Sequence, residues 1–208
     1  MINVKFLILL ITLIISSILS LYIYSEESKK EKNFHSDKNI KVLNRGEDRI
    51  TLKSGYEKIG TLQARKVESW VRETPSSSMR VAQYKLDYMR ENGQLVVFSG
   101  IGGSPDENIE RWYKQFKPES NLPIDETSLK WEIVKNKFKI KFVHFEGTFM
   151  KSDMRMNSVT EELKGYALLA AIISGADEPY YFKMTGPSSL IKSQKKVFES
   201  FIKSIDEL

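Results

Sequence analysis

The chain of 208 residues is long enough for about one domain with its own hydrophobic core. It contains no cysteine, which excludes disulfides, thiolate zinc sites and a cysteine nucleophile. The formal net charge is +5, but 32 lysines and arginines are spread among 27 acids. A nucleic-acid partner is therefore not indicated, because nucleic-acid binders usually gather their cations on one face.

The N-terminal segment is strongly apolar. The stretch Phe6–Ile23 carries no charged residue, exceeds the usual apolar region of a signal peptide and is just long enough to cross a bilayer. No small-x-small cleavage site follows it, since Ile23-Tyr24-Ser25 is a poor substitute. We predict a hydrophobic helix over residues 1–24 and favour an uncleaved membrane anchor, with a cleaved signal peptide as the alternative.

Two further regions follow this helix. Residues 25–58 are rich in Glu, Lys, Asn and Ser and poor in apolar side chains, so they are predicted to form a flexible tether. Residues 59–208 are predicted to form a single domain. Lysines flank the apolar segment on both sides, so charge alone leaves its orientation in the membrane open.

The clearest local signal is a helix start at Ser104-Pro105-Asp106-Glu107. This is the S-x-x-E capping box, with proline at the first helical position. Apolar side chains then recur at helical spacing at Ile109, Trp112, Tyr113 and Phe116. Pro118 bars continuation, so a core helix is predicted over Ser104–Lys117.

The remainder of the domain has mainly strand patterns. Strands are predicted around Thr61–Lys66, Met79–Leu86, Gln94–Ser99, Tyr166–Ile173 and Tyr180–Met184, with a hairpin over Leu129–Phe149. A turn at Glu91-Asn92-Gly93, a loop over Lys151–Thr160 and a closing helix after Gly186-Pro187-Ser188 are also predicted. Strands that arrive as hairpins, with helices inserted between them, indicate an α+β fold whose largely antiparallel sheet is flanked by helices.

The apolar residues of the hairpin predict its register. With Lys135-Asn136 as a two-residue turn, three apolar pairs align on one face. These pairs are Ile133 with Phe138, Trp131 with Ile140, and Leu129 with Phe142.

Two segments carry a resemblance to known proteins. The stretches SSMRVAQ, starting at Ser77, and GGSPDENIERW, starting at Gly102, match SSMRxAQ and GGSxxxNIxRW. With the strand YYFKMTGP before a terminal helix, the chain resembles a family of uncharacterised secreted bacterial proteins over about Leu62–Ile205. That family looks like the α/β/α sandwich of PsbP-like proteins. The resemblance implies this fold and an exported domain, and it implies no catalytic residue.

One candidate site is an anion-binding concavity. Arg80 is predicted to share a strand face with the apolar residues Ala82, Tyr84 and Leu86, where a guanidinium needs a partner. The glycine turn Gly100–Gly103 leads into a helix N-terminus, a position that can hold anions. The candidate ligand-binding residues are therefore Arg80, Gly102, Gly103 and Ser104. In the structural alternative, Arg80 pairs with an acid in the Asp106–Glu110 turn and the glycines only permit a tight turn.

A weaker candidate is a metal site. His144 and Glu146 lie two positions apart on a predicted strand, so both point to one side, and Asp153 could complete a ligand set. Ordinary packing of these residues is the favoured alternative. No G-x-S-x-G motif accompanies the serines at Ser76–Ser78, and no cofactor or catalytic residue is predicted.

These patterns favour a membrane-tethered, extracytoplasmic domain that binds a ligand or a protein partner without catalysis. Its expected partners are the membrane, through the N-terminal helix, and an envelope protein. Its expected location is the inner membrane with the domain exported, or secreted or periplasmic if the N-terminus is cleaved. A metal-dependent or hydrolytic enzyme and an assembly factor of an envelope complex are the alternatives.

Overall fold

A computed structural model describes residues 52–88, 91–153 and 158–208, which fall within one compact unit spanning Thr51–Leu208. The predicted hydrophobic helix over residues 1–24 and most of the predicted tether lie outside the described residues. No helix within the described ranges is both long and apolar enough to span a membrane.

Eleven strands and three helices make up this unit in the described ranges. The strands are β1 (Tyr56–Ile59), β2 (Leu62–Arg65), β3 (Trp70–Glu73), β4 (Arg80–Tyr88), β5 (Glu91–Ser99), β6 (Phe116–Lys117), β7 (Leu129–Lys135), β8 (Phe138–Asp153), β9 (Ser158–Ser174), β10 (Tyr180–Pro187) and β11 (Asp206–Glu207). The helices are α1 (Pro105–Tyr113), α2 (Ile124–Thr127) and α3 (Ser188–Ser204).

Eight strands form the central sheet. Seven of them run in the order β3-β4-β5-β10-β9-β8-β6, and β7 pairs with the other half of the long strand β8. Every pairing in this sheet is antiparallel. A small sheet, in the order β1-β2-β11, is antiparallel as well. The predicted α+β fold with a largely antiparallel sheet is confirmed.

Each face of the central sheet has its own core. Along β9, Leu169 and Ala171 belong to a cluster with α3, whereas Leu168 and Ala170 belong to a second cluster with α1. This alternation follows from the two-residue period of a strand. We call the two sides the α3 face and the α1 face. The predicted central strands, apolar throughout, are thus buried from both sides.

The capped helix is confirmed at its start and is shorter than predicted at its end. Ser104 is the N-cap of α1, its hydroxyl accepts from the Glu107 amide, and the Glu107 carboxylate accepts from the Ser104 amide. The helix ends at Tyr113, and the prediction for Phe116 is wrong. Phe116 is buried as predicted, but it lies in β6 opposite Phe149 of β8, where sheet pairing overrides the helical spacing.

The predicted hairpin exists, but its register is shifted. Its turn is Asn136-Lys137, with Asn136 at a φ of 54°, a conformation that asparagine tolerates better than lysine. Ile133 therefore faces Ile140, and Trp131 faces Phe142. The shift is two residues, so every side chain keeps its predicted face and the apolar pattern alone cannot distinguish the two registers.

Two predicted breaks in the sheet are wrong. Glu91-Asn92-Gly93 is the start of β5, where Gly93 is needed for close packing. A Cβ there would lie 2.7 Å from Leu190 Cδ2 of α3. The predicted loop over Lys151–Thr160 is strand at both of its ends, in β8 and β9, and residues 154–157 lie outside the described residues.

Candidate functional site

A β-bulge decides the side of the sheet on which Arg80 lies. Ala82 pairs with Val97, but Arg80 pairs with Phe98, so Val81 is an extra residue in β4. Val97 belongs to the α3-face core, whereas Phe98 packs against the α1-face core. The prediction that Arg80 shares a face with Ala82 is therefore wrong, because one extra residue moves the side chain to the other side of a strand.

On the α1 face, Arg80 lines a cavity of about 480 Å³, which we call the cationic pocket. Lys183 of β10, paired with Val96 of β5, lines it too. The remaining lining is polar at Gln94, Gln115 and Thr185 and apolar or aromatic at Val96, Phe98, Phe149, Leu163 and Tyr166, among others. No Asp or Glu is among the described residues that line this pocket.

Lys183 is a half-buried amine beside a neutral acceptor. Its Nζ donates to Gln115 Oε1 and lies 6.0 Å from the centroid of the Phe149 ring. Burial and, to a smaller extent, the positive charge of Arg80 together lower the pKa of Lys183 to about 8. The ammonium form is therefore poorly stabilised by its surroundings.

Arg80 is held by an amide and not by the acid predicted for it. Its Nη1 donates to Gln83 Oε1 at 2.7 Å, and burial lowers the pKa of the guanidinium. The predicted partner region, Asp106–Glu110, points elsewhere, since Asp106 forms an ion pair with Lys141 at 2.7 Å.

Arg80 and Lys183 take part in none of the ion pairs found among the described residues. Over residues 52–88, 91–153 and 158–208, no carboxylate lies within ion-pair distance of Arg80 or Lys183. A third lysine of the pocket, Lys151, contacts Glu161 at 3.2 Å. Arg80 and Lys183 are half-buried, and charges that are partly removed from water gain from an opposite charge, so a pocket with these two cations favours an anion.

The other candidate ligand-binding residues, Gly102, Gly103 and Ser104, do not line the cationic pocket. Their carbonyl groups and the Ser104 amide are occupied within the turn. The Ser104 amide donates to Glu107 Oε2 at 2.6 Å, Arg111 donates to the Gly102 carbonyl, and Tyr181 donates to the Gly103 carbonyl at 3.4 Å. The structure therefore separates the glycine turn from Arg80, and the turn has the geometry of a tight connection into a capped helix.

The three candidate metal ligands are not brought together. His144 Nε2 lies 3.9 Å from Glu146 Oε1, beside a separate cleft of about 500 Å³, and burial lowers the pKa of His144. Asp153 lies seven positions beyond Glu146 along β8, about 20 Å away at the rise of a strand. Within the described part of the chain, no group of three or more His, Asp or Glu residues could hold a metal ion.

Sequence reasoning missed Lys183. Its signal was present, because it is the only charged residue in the buried strand β10, whose neighbours Phe182 and Met184 are fully buried. A charged residue in an otherwise apolar central strand is unusual, because lysines at such positions are rare without a partner or a function. The sequence shows this lysine, but it does not show that Lys183 and Arg80 share a face of the sheet, because that depends on the bulge in β4.

Comparisons with known proteins add little to this picture. No protein-family model matches the chain, and neither does any curated protein sequence. Among solved structures, the domain is similar to the solution structure of cyanobacterial PsbP (CyanoP) from Synechocystis sp. PCC 6803. The TM-score is 0.44 and the identity is 10%, over 71% of this chain and 87% of that one. At this level the similarity carries no argument, and the antiparallel α+β fold rests on the strand pairings described above.

Proposed function

We propose that the domain is a binding module for a small anionic molecule with an apolar body, which it holds in the cationic pocket. The observation that supports this most directly is the pair Arg80 and Lys183, two cations without a carboxylate partner in one cavity. The volume of about 480 Å³ falls within the range of small-molecule sites.

The residues around the cations define the chemistry of the ligand. The planar guanidinium of Arg80 can bind a carboxylate or phosphate through two parallel hydrogen bonds. The rings of Phe149 and Tyr166 stack at 6.2 Å and form part of the wall, which favours an apolar or aromatic group next to the anionic one.

The cellular setting of the proposal comes from the sequence. The uncharged stretch Phe6–Ile23 supports a membrane anchor, and the segments SSMRVAQ and GGSPDENIERW support an exported, PsbP-like domain. We infer an inner-membrane protein whose domain samples ligands outside the cytoplasm. The full-length chain is expected to stay with membranes during carbonate extraction, and a native N-terminus near Ser25 would instead identify a cleaved signal peptide.

A thermal-shift panel on the full-length protein in detergent tests the ligand. Phenylacetate and phenyl phosphate are expected to raise the melting temperature, and the uncharged benzyl alcohol is not. The effect should disappear in Arg80→Gln and persist in Arg65→Gln, a matched change at an exposed arginine outside the pocket. Failure of every anion in the panel, or equal responses of the two variants, would contradict the proposal.

A further inference from the structure

We propose that Lys183 is a nucleophilic amine that forms a reversible imine with the carbonyl group of an oxo acid bound in the cationic pocket. This inference rests on the proposed function, because it assigns the anionic end of the ligand to Arg80. It adds a covalent bond at Lys183 and narrows the ligand to a molecule with both a carboxylate and an aldehyde or ketone.

The surroundings of the Lys183 amine fit this role. Lys183 lines the pocket, its Nζ donates to one neutral oxygen, Gln115 Oε1, and the centroid of the Phe149 ring lies 6.0 Å from Nζ. An amine that uses one of its hydrogens in such a contact keeps a lone pair available. The amide of Gln115 orients the nitrogen without the charge that would hold it in the ammonium form.

Lys141 provides the contrast within the same sheet. Its Nζ forms ion pairs with Asp106 at 2.7 Å and with Glu132 at 3.7 Å, and the hydrogen bond to Asp106 raises its pKa. Burial instead lowers the pKa of Lys183 to about 8. At pH 8 a much larger share of the Lys183 amines than of the Lys141 amines is therefore neutral. Only the neutral amine attacks a carbonyl.

The position of Arg80 selects the ligand. Arg80 and Lys183 line the same pocket, and the positive charge of Arg80 contributes to the lowered pKa of Lys183. A carboxylate bound to the guanidinium would also reduce the repulsion between the two cations. An oxo acid whose carboxylate binds Arg80 is held in the same cavity as Lys183, which favours attack of the amine on its carbonyl carbon.

The reaction is a condensation that needs no oxidant or reductant. The Lys183 lone pair forms a bond to the carbonyl carbon, and the π electrons of the carbonyl move to its oxygen. A proton passes from nitrogen to that oxygen, which gives a carbinolamine. The hydroxyl group then leaves with a second proton from nitrogen as one water molecule, and the C=N bond of the imine remains. Hydrolysis reverses each step.

Reductive trapping tests the inference on the full-length protein in detergent. With glyoxylate and cyanoborohydride at pH 8, we expect Lys183 to gain one carboxymethyl group at least about tenfold faster than Lys141, as peptide mass mapping would show. The rate at Lys183 should rise with pH and level off above its pKa. Lys183→Arg should lose the fast phase and still melt cooperatively.

Two further results make the test specific. Arg80→Gln is expected to slow modification of Lys183 by glyoxylate while leaving modification by acetaldehyde, which has no carboxylate, almost unchanged. Trapping at Lys183 that is no faster than at Lys141 would overturn the imine. If phenylacetate still raised the melting temperature in that case, anion binding would stand alone, and if it did not, the proposed function would fail as well.

Discussion

The two faces of the central sheet are built from the same strands and differ in how they are covered. The α3 face is closed by a 17-residue helix and by the small sheet, whose residues Ile59 and Leu62 belong to its core. The α1 face is covered by α1, of nine residues, and by the four-residue α2, and no residue of either helix lines the cationic pocket. The cationic pocket therefore lies on a part of the α1 face that these helices do not cover.

Strand β10 shows the contrast within three residues. Phe182 and Met184 are fully buried against the α3 face, and Lys183 between them points to the α1 face. The α3 face supplies apolar burial, the main favourable term in folding. That stability allows the α1 face to carry two cations that destabilise the fold and can bind an anionic ligand. The following predictions separate these roles, from the largest expected effect to the smallest.

A truncation in the core of the α3 face should have the largest effect on the free energy of unfolding. Phe198 of α3 is fully buried and its ring lies 6.5 Å from that of Phe142. Phe198→Ala is expected to lower the free energy of unfolding by about 3–5 kcal/mol, measured by urea denaturation. Phe149→Ala removes the same atoms from the half-buried wall of the pocket and should cost clearly less. Equal losses would refute the distinction between the faces.

Replacing Lys183, the half-buried lysine of the α1 face, should change the free energy of unfolding in the opposite direction. The shift of the Lys183 pKa from 10.5 to about 8 means that the unfolded chain binds more protons between these values. Stability should therefore rise with pH through this window and be lowest below pH 8. Lys183→Met should gain about 1–2 kcal/mol at pH 7, and this advantage should shrink towards pH 10.

Lys141→Met is the control for this experiment. Lys141 is paired with Asp106, so its loss should bring no gain at pH 7 and leave the pH dependence between 8 and 10 in place. A Lys183→Met protein with unchanged or lower stability at pH 7 would show that the amine is better stabilised than its surroundings indicate.

The smallest expected effect concerns the N-cap of helix α1. Ser104→Ala removes the hydroxyl that accepts from the Glu107 amide at 3.2 Å and should cost about 1 kcal/mol. Ser200→Ala, an exposed change within α3, should cost nothing, because alanine has the higher helix propensity. Thermal melts of both variants would measure the difference, and equal melting temperatures would mean that the cap is dispensable.

Features with a local cause could be predicted from the sequence. The S-x-x-E box predicts the start of α1, and the run YALLAAII predicts a central strand, because each depends on residues close together in the chain. Features that depend on distant contacts could not be predicted. Gly93 looks like a turn residue, but α3 requires it in a strand, since Leu190 occupies the space of a Cβ.

The candidate site could be predicted only in part, for the same reason. Arg80 stood out as a cation in an amphipathic strand, and it does line the pocket. Its partner Lys183 is about a hundred residues away in sequence, and only the pairing of β4, β5 and β10 brings them to one face. Gly102 and Ser104 are adjacent to that region in sequence, but the turn directs their polar groups into the loop and the helix cap.

The bulge at Val81 has an evolutionary consequence. Since it is a single extra residue, loss of the Val81 codon would restore regular pairing in β4 and leave Arg80 opposite Phe98 on the α1 face. A regular strand that kept Val81 would instead place Val81 opposite Phe98 and turn Arg80 to the α3 face, so the pocket would lose its guanidinium and keep only its lysines. Among descendants of a common ancestor, ligand recognition could therefore survive loss of this codon, but it could not survive a straightening of the strand that retained the extra residue.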